Sequence, residues 1–180
     1  DAVIISDPGM FTIAKEELHG IDIHISTQAN NTNYMTFNFW WQQGAKRVVT
    51  ARELSLNEIK EIRAHIPPEM EIETFIHGAM CTSISGRCIM SNYATNRDAN
   101  RGGCAQVCRW SFEITDENNN QIGKDFQMCP KDLNLAKYIK DMIDVGVNSF
   151  KIEGRMRSIY YIATVISSYR KIIDCTINGT

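Results

Sequence analysis

The sequence predicts an α/β protein built from repeated strand–helix–strand units. Short apolar runs typical of strands begin near residues 2, 21, 47 and 71, at intervals of 19, 26 and 24 residues. Segments with the apolar spacing of helices separate these runs. Because parallel strands need a long crossover that a helix supplies, this cadence indicates a parallel sheet, either open and doubly wound or closed into a barrel.

Turn and capping residues set the boundaries of the first four units. Pro8-Gly9 ends the first strand, and Gly44 stands where the second helix stops. Asn33 is placed to cap that helix, and Ser55 with Glu58 forms a capping box for the third. These signals predict strands at 2–5, 21–26, 47–51 and 71–76, and helices at 10–17, 34–43 and 55–66.

The regular alternation stops after the fourth strand. Residues 78–127 are rich in Gly, Asn, Arg and Cys, and they are predicted to form a cysteine-rich insertion. Within it, two weak strand candidates at 110–115 and 123–128 flank a hairpin tip at 116–120. Alternation then returns with a helix at 132–145, a strand at 148–152 and a helix at 158–174.

Five units are fewer than a closed barrel needs. A complete eight-fold barrel takes about 250 residues, and this chain has 180. We therefore expect a partial TIM-type (β/α) barrel of about five units, with residues 1–180 as a single fragment of that domain. Sheet edges left open by a partial barrel favour pairing with a second copy, so a homodimer is a further expectation.

Composition narrows the class of protein. Hydrophobic residues make up 43% of the chain and charged residues 22%, which supplies a globular core and excludes a disordered or fibrous chain. The net charge of −2 argues against a globally basic nucleic-acid binder. Because no apolar run is long enough to span a membrane and no signal peptide is recognisable, we expect a cytoplasmic protein without membrane contact.

The cysteines carry the strongest chemical signal. Their spacing is Cys81-x6-Cys88-x15-Cys104-x3-Cys108, followed by Cys129. Thiolates in a Gly-rich loop after a strand suit a soft metal centre. Zinc ribbons usually carry Cys-x2-Cys pairs, which this sequence lacks, whereas the ligands of an iron–sulfur cluster need only converge in space. Zinc, disulfides and unligated thiols stay open as alternatives.

One long motif makes the sequence recognisable. The pattern Glu73-x-Phe75-x2-Gly78-Ala79-Met80-Cys81-x4-Gly86-x-Cys88-x-Met90-Ser91 resembles the signature of the collagenase-like peptidase family of unknown catalytic type, family thirty-two of the unclassified peptidases. Four further stretches resemble that family: Ser26-Thr27-Gln28, Arg52-Glu53-Leu54-Ser55, Cys104-x3-Cys108-Arg109-Trp110 and Lys151-Ile152-Glu153-Gly154-Arg155-Met156. Members are typically much longer, so the resemblance implies that this chain is a piece of a longer protein.

The resemblance implies two kinds of activity. The family is named for collagen degradation, but other members are oxygen-independent hydroxylation proteins acting on a tRNA uridine, an rRNA cytidine or the ubiquinone ring. Those members carry a [4Fe–4S] cluster, and the tRNA branch draws on prephenate. We therefore expect an iron–sulfur enzyme that hydroxylates tRNA or rRNA, with prephenate as a candidate co-substrate. The alternatives are a peptidase acting on peptides and an RNA-binding scaffold with structural cysteines.

The resemblance also implies most of a ligand set. By position, Cys81, Cys88 and Cys104 match the cluster ligands of those members. A further cysteine often follows an Asp-Leu pair in the family, but here Asp132-Leu133 is followed by Asn134. Cys129 is therefore the first candidate for the fourth ligand, and Cys108 is the alternative.

Residues that follow the strands of a barrel lie on its carboxyl rim, where substrate sites are built. The candidate catalytic residues there are Glu53, Glu153 and Arg155. Arg155 is suited to bidentate hydrogen bonding with a carboxylate. Arg155 or Glu53 is expected to orient the carboxylated co-substrate. A Glu–Arg salt bridge on the rim is the structural alternative. The candidate substrate-binding residues are His24, Gln28 and Asn33, expected at the rim after the second strand, and Arg101 and Arg109 in a basic, aromatic stretch suited to RNA.

Proteolysis finds little support in the motifs. It needs a nucleophile with a base, or a metal-bound water with a base. The chain has no His-Glu-x2-His and no Gly-x-Ser-x-Gly pattern, and the nearest pairing is His77 with Cys81. A histidine at the end of a buried strand is more often a hydrogen-bonded core residue.

Overall fold

The computed structural model describes residues 1–129 and 131–179. Its strands are β1 Ala2–Ile5, β2 Asp22–Ile25, β3 Arg47–Val49, β4 Glu71–Gly78, β5 Phe112–Thr115, β6 Gln121–Phe126, β7 Leu133–Asn134 and β8 Ser149–Ile152. Its helices are α1 Pro8–Glu17, α2 Tyr34–Gln43, α3 Leu56–Ala64, α4 Met90–Thr95, α5 Ile139–Val145 and α6 Ile159–Asn178. Among these helices, none has the length and apolar character needed to cross a membrane.

Five parallel strands form the main sheet in the order β1, β2, β3, β4 and β8. The sheet curls into a half-barrel. The predicted α/β class and its parallel strands are therefore confirmed.

Local signals place the helices as expected. The Asn33 side chain accepts the Thr36 N–H at 3.1 Å, and Gly44 ends α2 with φ +99°. Ser55 and Glu58 form the predicted capping box at the start of α3. These caps satisfy backbone groups that a helix end leaves without partners, which is why the boundaries follow them.

The helix expected over 132–145 is wrong at its start. Residues Leu133–Asn134 instead pair antiparallel with the end of β4, and the helix begins at Ile139. Asn134 accepts hydrogen bonds from the Ala136 N–H at 3.1 Å and the Tyr169 hydroxyl at 3.2 Å. Edge pairing with β4 therefore overrides the helical periodicity of this stretch.

The two faces of the sheet differ in polarity. Ile25, Val48 and Ile72 are fully buried on the helix side, where they pack with Phe37 and Ile62. Burial of such side chains is the main favourable term in folding. The opposite face is the inside of the half-barrel, and it carries charged residues.

Glu73 is the centre of that charged inner face. It is only 6% exposed, yet it lies 3.1 Å from Arg47 and 2.9 Å from Lys151, and the Ser149 hydroxyl donates to it at 2.9 Å. Arg47 also contacts Glu71 at 2.6 Å. Burial by itself raises the pKa of Glu73, but these partners together hold it below its ordinary value.

The chain between β4 and β7 carries all the cysteines except Cys175. It contains α4 and the β5–β6 hairpin, whose tip is closed by the Asp116 carboxylate accepting the N–H groups of Asn118 and Asn120. The predicted hairpin is thus confirmed. The chain after the hairpin returns to the residues just before it, because Met128 and Cys129 donate backbone hydrogen bonds to the Cys108 carbonyl.

We expect Glu73→Gln to lower the free energy of unfolding by about 3 kcal/mol at neutral pH, because it leaves two half-buried cations without their shared, buried carboxylate. The folded-state pKa of Glu73 lies below the ordinary value of 4.5, so its ion pairs stabilise the protein above that pH. This contribution disappears as the pH falls through the folded-state pKa. Urea unfolding at a series of pH values should show the gap to wild type closing in acid.

The control for this experiment is Glu117→Gln, which removes an exposed carboxylate at the hairpin tip. It should leave the unfolding free energy within about 0.5 kcal/mol of wild type. A gap for Glu73→Gln that stays constant from neutral to acid pH would contradict the ion-pair account.

Candidate functional site

A cavity of about 420 Å³ lies at the carboxyl edge of the sheet. Its walls come from the residues that follow β2, β3, β4 and β8 and from the cysteine-containing segment, while Phe75 and Lys151 reach it from the inner face. In α/β sheets this edge is where ligands bind, and the volume falls within the usual range for small-molecule sites.

Four cysteines line this cavity: Cys81, Cys88, Cys104 and Cys108. All are free thiols. Each of the first three receives a backbone N–H from the residue two positions later: Ser83 to Cys81 at 3.4 Å, Met90 to Cys88 at 3.3 Å and Gln106 to Cys104 at 3.4 Å. Backbone N–H groups placed in this way are typical of the outer shell that orients the ligands of a metal centre.

The candidates for a fourth ligand occupy different places. Cys108 is on the cavity wall, whereas Cys129 lies beside the Cys108 backbone and is not among the lining residues. Burial, with the neighbouring sulfurs of Cys129 and Cys81, raises the pKa of Cys108. Asn134, at the position where the family often has cysteine, points to Tyr169 instead.

The spacing of these thiols bears on which metal they suit. Within the described residues, no three His, Cys, Asp or Glu side chains come close enough to hold a single metal ion. Four cysteines instead line one cavity. A [4Fe–4S] cluster takes one thiolate on each of four irons, and these residues supply four such donors.

Glu153 and Arg155 both line the cavity. The Arg155 guanidinium donates to the Gly102 carbonyl at 2.6 Å and to the Cys104 carbonyl at 3.2 Å, which ties the end of β8 to the cysteine-containing segment. Its backbone N–H donates to the Glu153 carboxylate at 3.2 Å. Arg155 therefore positions the Cys104 loop.

Glu53 and Gln28 hold the turn that follows Cys81. The Glu53 carboxylate accepts the Ser85 N–H, and Glu53 is exposed and lies off the cavity wall. Gln28 lines the cavity, and its side-chain amide donates to the Gly86 carbonyl at 3.3 Å. Both residues thus shape the site by fixing residues 83–86.

The other predicted binding residues are dispersed. Arg109 lines the cavity and lies 3.0 Å from Asp132. Arg101 is off the wall, with a side chain that is 82% exposed, and Asn33 caps α2. His24 lies within β2 on the inner face beside Arg47, and burial together with Arg47 lowers its pKa.

Arg52 lines the cavity, although the sequence analysis did not select it as a candidate site residue. Its guanidinium lies 4.0 Å from the centre of the Phe75 ring, and its buried Nε has no hydrogen-bond partner among the described residues. Burial lowers the pKa of Arg52, while Cys81 and Glu153 act in the opposite direction. Its place directly after a strand was a usable signal, but the same signal drew attention to Glu53 instead.

The chain is similar to known proteins along nearly its whole length. The family model for peptidase family U32 matches residues 1–180. The tRNA hydroxylation protein P1 of Bacillus subtilis is 46% identical over 179 residues, which cover 96% of this chain and 42% of that protein. The chain is also similar to a collagenase of Porphyromonas gingivalis, at 37% identity over 99% of this chain and 45% of that protein.

A third relative acts on a different RNA. The 23S rRNA 5-hydroxycytidine C2501 synthase of Escherichia coli is 35% identical over 98% of this chain and 26% of that protein. This chain therefore spans less than half the length of these relatives. No solved structure matches it.

Gly78 controls how closely β4 and β8 approach at the site. Its φ is +107°, and a Cβ there would overlap the carbonyl oxygen of Glu153. We expect Gly78→Ala to cost about 3 kcal/mol or more of unfolding free energy, because the strain adds to a clash with backbone that cannot move aside. Thermal or urea unfolding measures the loss.

Gly20→Ala is the matched control, since Gly20 also has a positive φ, +76°, but no atom lies within 4 Å of its Cβ position. It should cost only about 1 kcal/mol. Equal losses in the two variants would show that the approach to Glu153 is not the constraint.

Proposed function

This chain belongs to peptidase family U32, and we propose that the protein it represents hydroxylates a base in RNA with the help of a [4Fe–4S] cluster. The observation that carries the proposal is the convergence of four cysteines on one cavity at the carboxyl edge of the sheet. Relatives named for tRNA and rRNA hydroxylation support the choice of substrate. We also propose that the half-barrel forms part of a TIM-type barrel in the longer protein, which brings the rim residues around one substrate.

In this proposal Cys81, Cys88, Cys104 and Cys108 hold the cluster, which supplies electron transfer when bound. The chain's own residues prepare its place. Three backbone N–H groups already point at cysteine sulfurs, and Arg155 fixes the Cys104 loop. A zinc ion is the alternative occupant, and a carboxylated co-substrate such as prephenate stays a prediction.

The surface around the cavity supports an RNA partner. Tyr93, on α4, is 92% exposed, and Trp110 is 45% exposed. Arg101, which lies between these two residues in the sequence, has an exposed side chain. Exposed aromatic rings that stack on bases, next to arginines that contact phosphate, are the features that single-stranded RNA binding uses.

The peptidase alternative gains no support from the geometry. His77 contacts the Tyr169 hydroxyl at 3.3 Å, and its ring lies tilted against that of Tyr161 on α6, with 5.9 Å between the ring centres. It does not line the cavity that Cys81 faces, so the two residues do not form a nucleophile–base pair. The name of the collagenase relative is the remaining argument for this activity.

The first test concerns the cluster and its fourth ligand. Protein purified without oxygen should contain about four irons and four sulfides per chain and absorb broadly in the visible range. Cys88→Ser and Cys108→Ser should each lose most of this iron, because each removes a ligand on the cavity wall. Cys129→Ser should keep it, and Cys175→Ser on α6 is the control.

Retention of iron in Cys108→Ser with loss in Cys129→Ser would move the fourth ligand to Cys129. Stoichiometric zinc in colourless, anaerobically prepared protein would overturn the cluster proposal altogether.

The second test concerns the reaction. Total tRNA and rRNA from cells that lack the intact protein should be missing a hydroxylated pyrimidine found in wild-type cells, as nucleoside mass spectrometry would show. Complementation with Cys88→Ser should fail, and complementation with Cys175→Ser should restore the nucleoside. Identical nucleoside profiles with and without the protein would contradict RNA hydroxylation.

A further inference from the structure

Buried polar atoms without partners concentrate at this cavity. Among the described residues, five buried side-chain polar atoms lack a hydrogen-bond partner, and three of them belong to lining residues: Thr27 Oγ1, Arg52 Nε and Glu153 Oε2. Such an atom costs about 1–3 kcal/mol when it is left unpaired. Three unpaired polar atoms at one cavity indicate that a ligand supplies their hydrogen-bond partners.

The three groups form a row along the sheet edge. Thr27 follows β2, Arg52 follows β3 and Glu153 follows β8, while β4 between the last two places Phe75 under the Arg52 guanidinium. These residues line the same cavity as the four cysteines. It offers a hydroxyl, then a cationic donor, then a carboxylate acceptor.

Neighbouring cations are already engaged. Lys151 is paired with Glu73 at 2.9 Å, Arg109 with Asp132 at 3.0 Å, and Arg155 with two backbone carbonyls. Arg52 takes part in none of the ion pairs between described residues. It is thus the lining cation that is left for a ligand.

The ligand must present an acceptor and a donor on the same side. A carboxylate would satisfy Arg52 but would leave the Glu153 oxygen unpaired and add a like charge beside it. A trans peptide group directs its C=O and N–H to opposite sides. A pyrimidine base carries both groups on one edge, as O4 and N3–H in uracil or as N3 and N4–H₂ in cytosine.

We propose that Thr27, Arg52 and Glu153 form a recognition site for the Watson–Crick edge of a pyrimidine, with Arg52 as donor and Glu153 as acceptor. This inference rests on the proposed function for its choice of a base over other cyclic amides. It assigns specificity to residues that follow β2, β3 and β8 and that line the same cavity as the cysteines.

The test measures binding of free uridine, cytidine and N3-methyluridine to the anaerobically purified intact protein by saturation-transfer NMR and calorimetry. Wild type should bind uridine and cytidine. N3-methyluridine, which lacks the N3–H donor, should bind roughly tenfold more weakly than uridine or not at all. Arg52→Met and Glu153→Gln should each weaken binding of both nucleosides by roughly ten- to hundredfold. Arg170→Met, which removes an exposed arginine on α6 that does not line the cavity, is the control.

Circular dichroism checks that each variant is folded, and Arg52→Lys replaces Arg52→Met if the latter is not. Equal binding of uridine and N3-methyluridine, no nucleoside binding by wild type, or displacement of uridine by phenylacetate as a carboxylate probe would overturn the proposal. Nucleoside binding that depends on both residues in a protein without RNA hydroxylation would retain the site and reject the function. RNA hydroxylation that survives both substitutions would do the reverse.

Discussion

The close approach of Gly78 to the Glu153 carbonyl is the constraint on which the site depends. At this point β4 pairs antiparallel with β7 on one side and parallel with β8 on the other. The cysteine-containing segment begins at the next residue. One backbone contact therefore fixes the start of the cysteine wall relative to the residues after β8. The Arg155 hydrogen bonds to the Gly102 and Cys104 carbonyls form a second link between the residues after β8 and the cysteine-containing segment.

The charged inner face links the stability of the sheet to the electrostatics of the site. Closed (β/α) barrels usually fill their interior with layers of branched apolar residues. Here Glu73 occupies such a position and binds Arg47 and Lys151, and Lys151 also lies 5.5 Å from the centre of the Phe75 ring at the cavity. Because Arg52 stacks on the same ring at 4.0 Å, two cations lie against one aromatic residue of the cavity wall.

The sequence predicted most of the fold but only part of the site, for physical reasons that differ. Caps at Asn33 and Ser55 depend on neighbours within four residues, so local spacing was sufficient. The predicted start of α5 was wrong because β7 forms through hydrogen bonds to β4, which is 57 residues away in the His77–Asn134 pair. Likewise, adjacent Arg52 and Glu53 look equivalent in sequence. Only the path of the chain decides that Arg52 lines the cavity while Glu53 bonds to Ser85.

Two opposite treatments of buried charge stand side by side in this molecule. Glu73 has several partners, as a charge kept for stability should, and a depressed pKa follows from them. Arg52 and Glu153 keep buried atoms unpaired on the cavity wall. Because this fold supplies Glu73 with cationic partners, imperfect packing is a poor explanation for the unpaired atoms of Arg52 and Glu153. A ligand that forms the missing hydrogen bonds explains them better.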